Sequence, residues 1–169
     1  MDRIGALFDL DKTLLDTSSG QLYARYMFRT GQMSRGDLMQ VAWWTALNRL
    51  GVLDMQALIP RLLAAAAGSQ ENEMLLVSRR WFAEEVVPHI AERGLERVAE
   101  HQAQGHVVAI VSASTQYVVA PMAEYLGIPG QYVCTHVQST DGVLTGEAIE
   151  PACYGQGKIV WAERFAEEQ

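Results

Sequence analysis

Positive charge is in short supply. The chain carries 13 Lys and Arg against 20 Asp and Glu, a formal net charge of -7. A nucleic-acid binder needs a basic patch. Here Arg79-Arg80 is the only adjacent basic pair, and a solvated helix face accounts for it. The same negative field repels anionic substrates at long range, so a phosphate site must bring its own positive groups. Cysteine is almost absent: Cys134 and Cys153 form no CxxC pair. That argues against a disulfide framework and predicts a reduced, cytoplasmic protein. Long hydrophobic runs are missing too, and none approaches the ~18 residues of a membrane span. The nearest candidate, Leu58 to Gly68, is broken by Pro60 and Arg61. Asp2, Arg3 and Asp9 interrupt the first apolar residues, so no signal peptide is expected. The four histidines, His89, His101, His106 and His136, have no metal-ligand spacing and read as surface or capping residues.

What is present is a core. Apolar residues make up 49% of 169 residues, enough for one domain with room for an inserted lobe. Ile4 to Leu10 reads as a strand. From Gln21 to about Glu100 the texture is helical, with helices expected to end near Gly51, Ala67, Pro88 and Gly105. His106 to Ser112 is a second strand, a continuous run suited to burial on both faces. A helix over Gln116 to Leu126, a strand over Tyr132 to Val137, a hairpin or excursion at Gly142 to Gly146 and a helix over Lys158 to Glu168 follow. This order predicts an α/β domain, a Rossmann-like parallel sheet with a helical lobe inserted after the first strand.

Chemistry concentrates at strand ends. Strand one runs out in Phe8-Asp9-Leu10-Asp11-Lys12-Thr13-Leu14. Carboxylates at the end of a buried element are costly unless neutralised. Two acids at a spacing of two share one side of an extended chain. They suggest a divalent cation, a proton-transfer pair, or both. Strand two ends in Ser112-Ala113-Ser114-Thr115, just before a helix. These hydroxyls are either plain N-caps or part of an anion site. Lys158 opens the last helix, where a cation opposes the helix dipole and wants a reason, such as an anion shared with Ser112. Gly155-Gln156-Gly157-Lys158 is not a nucleotide P-loop, because Ala152 stands where a glycine is required and Ile159 where a hydroxyl is. The Trp43-Trp44 and Trp81-Phe82 pairs read as helix packing.

Taken together, the DxDxT after an apolar strand, Ser112 at the end of the next strand and the later Lys158 resemble the haloacid dehalogenase superfamily. The helical insert resembles its phosphoserine-phosphatase-like subfamily, with a core at 1–16 and 88–169 and a helical cap at 17–87. The resemblance implies a phosphomonoester hydrolase with an aspartyl-phosphate intermediate. Asp9 is then the nucleophile and Asp11 the general acid and base. Mg²⁺ is held by Asp9 and the Asp11 carbonyl, and Ser112, Ala113, Lys158 and Thr13 bind phosphate. Asp11 also separates the chain from the dehalogenase and ATPase branches.

Two departures qualify this. The family's fourth motif, an acid pair after a further strand, has no counterpart, since the residues after Lys158 read as one helix. The chain therefore reads as C-terminally truncated, with strand one an open edge able to self-associate. Weak Mg²⁺ binding and low activity are expected of it alone. The acid that holds the ammonium of phosphoserine is not clearly matched, although Asp16 lies nearby. The expected substrate is a small phosphorylated metabolite, an amino-acid or polyol phosphate. A lipid-head-group phosphatase and an inactive phosphate- or partner-binding fragment are the alternatives. Tyr23, Arg25, Tyr26, Arg29, Trp43 and Trp44 are candidate specificity residues in the cap.

Overall fold

The computed structural model describes residues 4–51 and 55–168. Asp2 and Arg3 lie outside them. Three strands form a parallel sheet in the order β1 (Gly5–Phe8), β2 (Val107–Thr115), β3 (Tyr132–Thr135). Gly5 to Phe8 pair in register with Val107 to Ile110. Helices α5 (Glu92–Ala103) and α6 (Gln116–Tyr125) cover one face, burying Val98, Val108, Ile110, Val119 and Met122. Helix α7 (Gln156–Glu168) covers the other over β2 and β3, where Ala109, Val111, Val133, Cys153 and Phe165 pack. That double coverage is what the unbroken apolar run of β2 requires. Strand β1 is an outer strand with no neighbour on its far side among the described residues, and Leu7 is 49% exposed.

Between β1 and α5 the chain inserts α1 (Ser19–Arg29), α2 (Arg35–Arg49), α3 (Met55–Ala64) and α4 (Glu71–Trp81). The chain leaves and re-enters the sheet through paired linkers. Leu15 bridges Ile90, the Asp16 amide donates to the His89 carbonyl, and the Asp16 carboxylate lies 2.9 Å from His89 Nδ1. Gly94 fits under this crossing because a Cβ there would lie 3.0 Å from the Thr13 carbonyl. The inserted helices also share the core: Leu22, Tyr26, Trp81, Phe82 and Val86 join the cluster beneath α6. The Ser78 hydroxyl donates to the Tyr117 carbonyl, tying α4 to α6.

Past β3 comes an antiparallel hairpin, β4 (Val137–Thr140) and β5 (Val143–Ala148). Its turn is Asp141-Gly142, both at positive φ, the conformation a two-residue hairpin favours. The α3–α4 connection pairs with this hairpin. Gly68 N donates to Leu144 O, Leu144 N to Ser69 O, and Glu71 N to Gly142 O. Leu63, Tyr117, Val137 and Leu144 fill the space between.

Several expectations change. β2 runs on to Thr115, so Ser112 and Ala113 are strand residues and Thr115 is the cap of α6. Trp43 is 63% exposed, whereas Trp81 is buried as expected. No described helix is long and apolar enough to cross a membrane.

Candidate functional site

One cavity of about 1280 Å³ opens between the ends of β1 and β2 and the inserted helices. Asp9, Asp11, Ser112, Ala113 and Lys158 all line it. The position follows the general rule that ligands bind beyond the carboxyl ends of parallel strands.

Pairing of β1 stops at Phe8, yet the backbone stays extended at Asp9 (φ -73, ψ 155) and Asp11 (φ -71, ψ 125). Strand alternation therefore persists: Asp9 and Asp11 reach the cavity, and Leu10 between them is fully buried. Lys12 then adopts φ 62, a left-handed turn that redirects the chain. After it, Leu14 and Leu15 enter the core. Thr13 is the casualty. It is exposed, it is not among the cavity-lining residues, and its carbonyl lies against Gly94. The turn at Lys12 takes Thr13 away from the phosphate-binding place expected for it.

Lys158 Nζ donates to Asp9 Oδ1 at 2.8 Å. This answers why a lysine opens α7: its partner is the Asp9 carboxylate. The two side chains are 30% and 45% exposed, so the pair is worth about 1 kcal/mol or less. Gly157, just before it, has no room for a side chain, since a Cβ would meet the Ala152 carbonyl at 2.0 Å.

Asp11 is held at both oxygens. Ser19 N donates to Oδ1 at 2.9 Å and Ser18 Oγ to Oδ2 at 3.3 Å. The first of these is a free N–H at the start of α1, so Asp11 acts as a remote helix cap. Ser112 is buried, and its Oγ accepts from Ser114 N at 3.1 Å. Ser114 is one of the hydroxyls the sequence offers as an N-cap or anion-site group, whereas Ser18, Ser19 and Gly157 are not site candidates there. A loop Ser-Ser was the only signal, and it is a common one.

Cys153 sits fully buried beneath the lysine. Burial pushes its thiol up and Asp9 adds to this, while Lys158 and a backbone hydrogen bond from Ser112 draw it down. Of the six cap candidates, Tyr23 and Trp44 line the cavity. Arg29 pairs with Glu84 and Glu85 and stacks over Tyr26, Trp43 faces out, and Arg25 is not among the lining residues. Asp16 is occupied by His89. The far wall is apolar (Met27, Val41, Leu62, Met74) with two carboxylates, Asp37 and Glu73.

For a cation, the carboxylates at the strand end among the described residues are Asp9 and Asp11. No group of three or more His, Cys, Asp or Glu able to hold a metal occurs among the described residues. Asp9 Oδ2 has no hydrogen-bond partner among them. An oxygen-only donor set suits Mg²⁺, which keeps several waters and needs one or two carboxylates beside a substrate phosphate.

A family model described as haloacid dehalogenase-like hydrolase matches residues 6–169. The chain is 27% identical to a histidinol-phosphatase of Neisseria meningitidis serogroup C over 171 residues, 97% of this chain and 74% of that one. It spans 52–58% of the length of four other curated relatives. Among solved structures, a Bordetella pertussis Tohama I protein with unknown function superposes with a TM-score of 0.83 at 24% identity, covering 98% of this chain and 74% of that one. A phospho-aspartyl intermediate analogue of phosphoserine phosphatase gives 0.63 at 22%, covering 99% and 73%.

Proposed function

The chain belongs to the haloacid dehalogenase-like hydrolase family, and on that premise we propose that it hydrolyses a small phosphomonoester through an aspartyl-phosphate. The observation that carries this reading is the pairing of Asp9 with Lys158 at 2.8 Å in a cavity also lined by Asp11 and Ser112. Asp9 attacks phosphorus and the P–O bond to the alcohol breaks. Asp11, oriented by Ser18 and Ser19, gives the leaving oxygen its proton. Asp11 then takes a proton from the water that releases phosphate and regenerates Asp9. Lys158 exchanges its bond to Asp9 for one to a phosphoryl oxygen, and the Ser112 hydroxyl donates to another. Mg²⁺ would be held by Asp9 and the Asp11 carbonyl, where it offsets the repulsion between carboxylate and phosphate. With two acids at most, binding of the ion by this chain is weak.

The cavity wall narrows the substrate. Tyr23 and Trp44 favour a flat or apolar body, and Glu73 and Asp37 favour an ammonium over a carboxylate. A heteroaromatic amino-alcohol phosphate, as in the name of the Neisseria relative, meets both demands. The test is phosphate release from a panel of phosphomonoesters with and without an amine, in Mg²⁺ and in EDTA, with Asp9→Asn as control. The amine-bearing aromatic ester should turn over fastest, and EDTA should stop it. Equal rates for wild type and Asp9→Asn would overturn the reading.

A further inference from the structure

The nucleophile and its lysine come from the sheet and α7, but the proton-transfer group leans on the inserted helices. Asp11 Oδ1 accepts from Ser19 N at 2.9 Å. The Ser19 hydroxyl lies 2.9 Å from the Ser114 hydroxyl, 95 residues away in sequence. Ser114 N in turn donates to Ser112 Oγ at 3.1 Å. Two bonds from backbone N–H groups and one contact between hydroxyls thus link Asp11, Ser19, Ser114 and Ser112, joined through the covalent frames of Ser19 and Ser114. Ser19 is 3% exposed and Ser112 is 2% exposed, while Ser114 between them is half-buried at the cavity wall. We propose that Ser19 and Ser114 are positioning residues that lock the acid–base carboxylate and the phosphate-binding hydroxyl into register, and that they do so only while the start of α1 is seated on the end of β2.

The physical argument has two parts. A carboxylate that accepts from a fixed N–H presents its free lone pairs in one direction, toward the cavity. A serine hydroxyl that accepts from Ser114 N has its own proton free to donate elsewhere, and the phosphoryl oxygen is the available acceptor. Both orientations pass through the Ser19–Ser114 contact. A lobe that lifts off therefore disorients both groups together, and a seated lobe aligns both. A plain structural clasp would hold α1 in place without affecting Ser112.

This inference rests on the phosphatase reading, so its test includes a readout that needs no turnover. The variants are Ser19→Ala, Ser114→Ala, the double variant and Ser114→Thr, which keeps the hydroxyl. The first measurement is binding of inorganic phosphate in the presence of Mg²⁺ by calorimetry. The second is kcat and KM with an amine-bearing phosphomonoester. Loss of one buried hydrogen bond corresponds to about five- to tenfold. Each alanine variant should weaken phosphate binding by about that factor, the double variant no more than either single, and Ser114→Thr should restore it. In turnover the loss should fall on kcat more than on KM. Phosphate affinity within twofold of wild type for Ser19→Ala, at an unchanged thermal midpoint, would overturn the proposal. So would additive losses in the double variant, which would mean two independent contacts. A wild type that binds phosphate but releases none from any ester would overturn the phosphatase reading while leaving the binding cycle to decide the clasp.

Discussion

Replacing Gly157 by alanine should disable the site without touching any group that meets substrate. The new Cβ would lie 2.0 Å from the Ala152 carbonyl oxygen and 3.1 Å from its carbon. Comfortable separations between such atoms are about 3.5 Å, so the contact must open by about 1 Å or more. Ala152 has little freedom to yield. Its carbonyl accepts from Tyr154 N at 2.7 Å, and the next residue, Cys153, is fully buried with its N–H on Thr135 Oγ1 at 3.1 Å. The start of α7 moves instead and carries Lys158 with it. A displacement of about 1 Å at a group that meets a phosphoryl oxygen in the proposed reaction costs on the order of 100-fold in rate. Strain of this kind removes about 1–3 kcal/mol of stability, which leaves the domain folded. The assay is phosphate release at saturating ester beside a thermal melt, with Lys158→Met as the fully disabled reference. Gly36→Ala serves as control, because its Cβ would meet only Ser34 Oγ at an ordinary 3.6 Å. A Gly157→Ala protein with kcat within threefold of wild type and an unchanged melt would refute the packing argument.

Two further outcomes follow from buried groups. Burial lowers the His136 imidazole from its ordinary value of 6.5, so the fold holds it neutral while the unfolded chain protonates it. Its contribution is fully present above about pH 6.5 and is lost as the pH falls through the lowered value. Melts from pH 8 to 5 should show a decline that His136→Phe flattens, and an identical slope in the variant would remove His136 from the account. Both cysteine thiols are buried and pushed up, Cys134 chiefly by burial and then by Cys153. Ellman's reagent should therefore label neither in the native chain and both in urea. Prompt labelling of the native protein would show that one thiol is reachable.

The sequence made the ends of β1 and β2 legible because each is a local event: an unbroken apolar run that stops at an acid or a hydroxyl. Asp9, Asp11, Ser112 and Ala113 came from that signal, and all four line the cavity. Lys158 stood out because it is on the wrong end of a helix, and its ion pair with Asp9 explains it. Thr13 was misplaced because the turn at Lys12 depends on a left-handed φ that nothing local demands of a lysine. The Ser19–Ser114 contact joins residues 95 positions apart, and the pairing of Gly68 to Glu71 with the hairpin joins residues more than 70 positions apart. Neither leaves a periodicity to read. Gly157 looked like loop glycine, because its neighbour Ala152 closes on it only once β3 and α7 are assembled.

The central claim is that the Asp9 carboxylate forms a bond to phosphorus. Acid-quenching a reaction during turnover, reducing it with borohydride and sequencing the peptide containing residue 9 tests it directly. An acyl phosphate at Asp9 should appear as homoserine at that position, in an amount that depends on substrate and is absent from Asp9→Asn. Turnover that proceeds with aspartate intact at position 9, or reduction at any other acid, would contradict it.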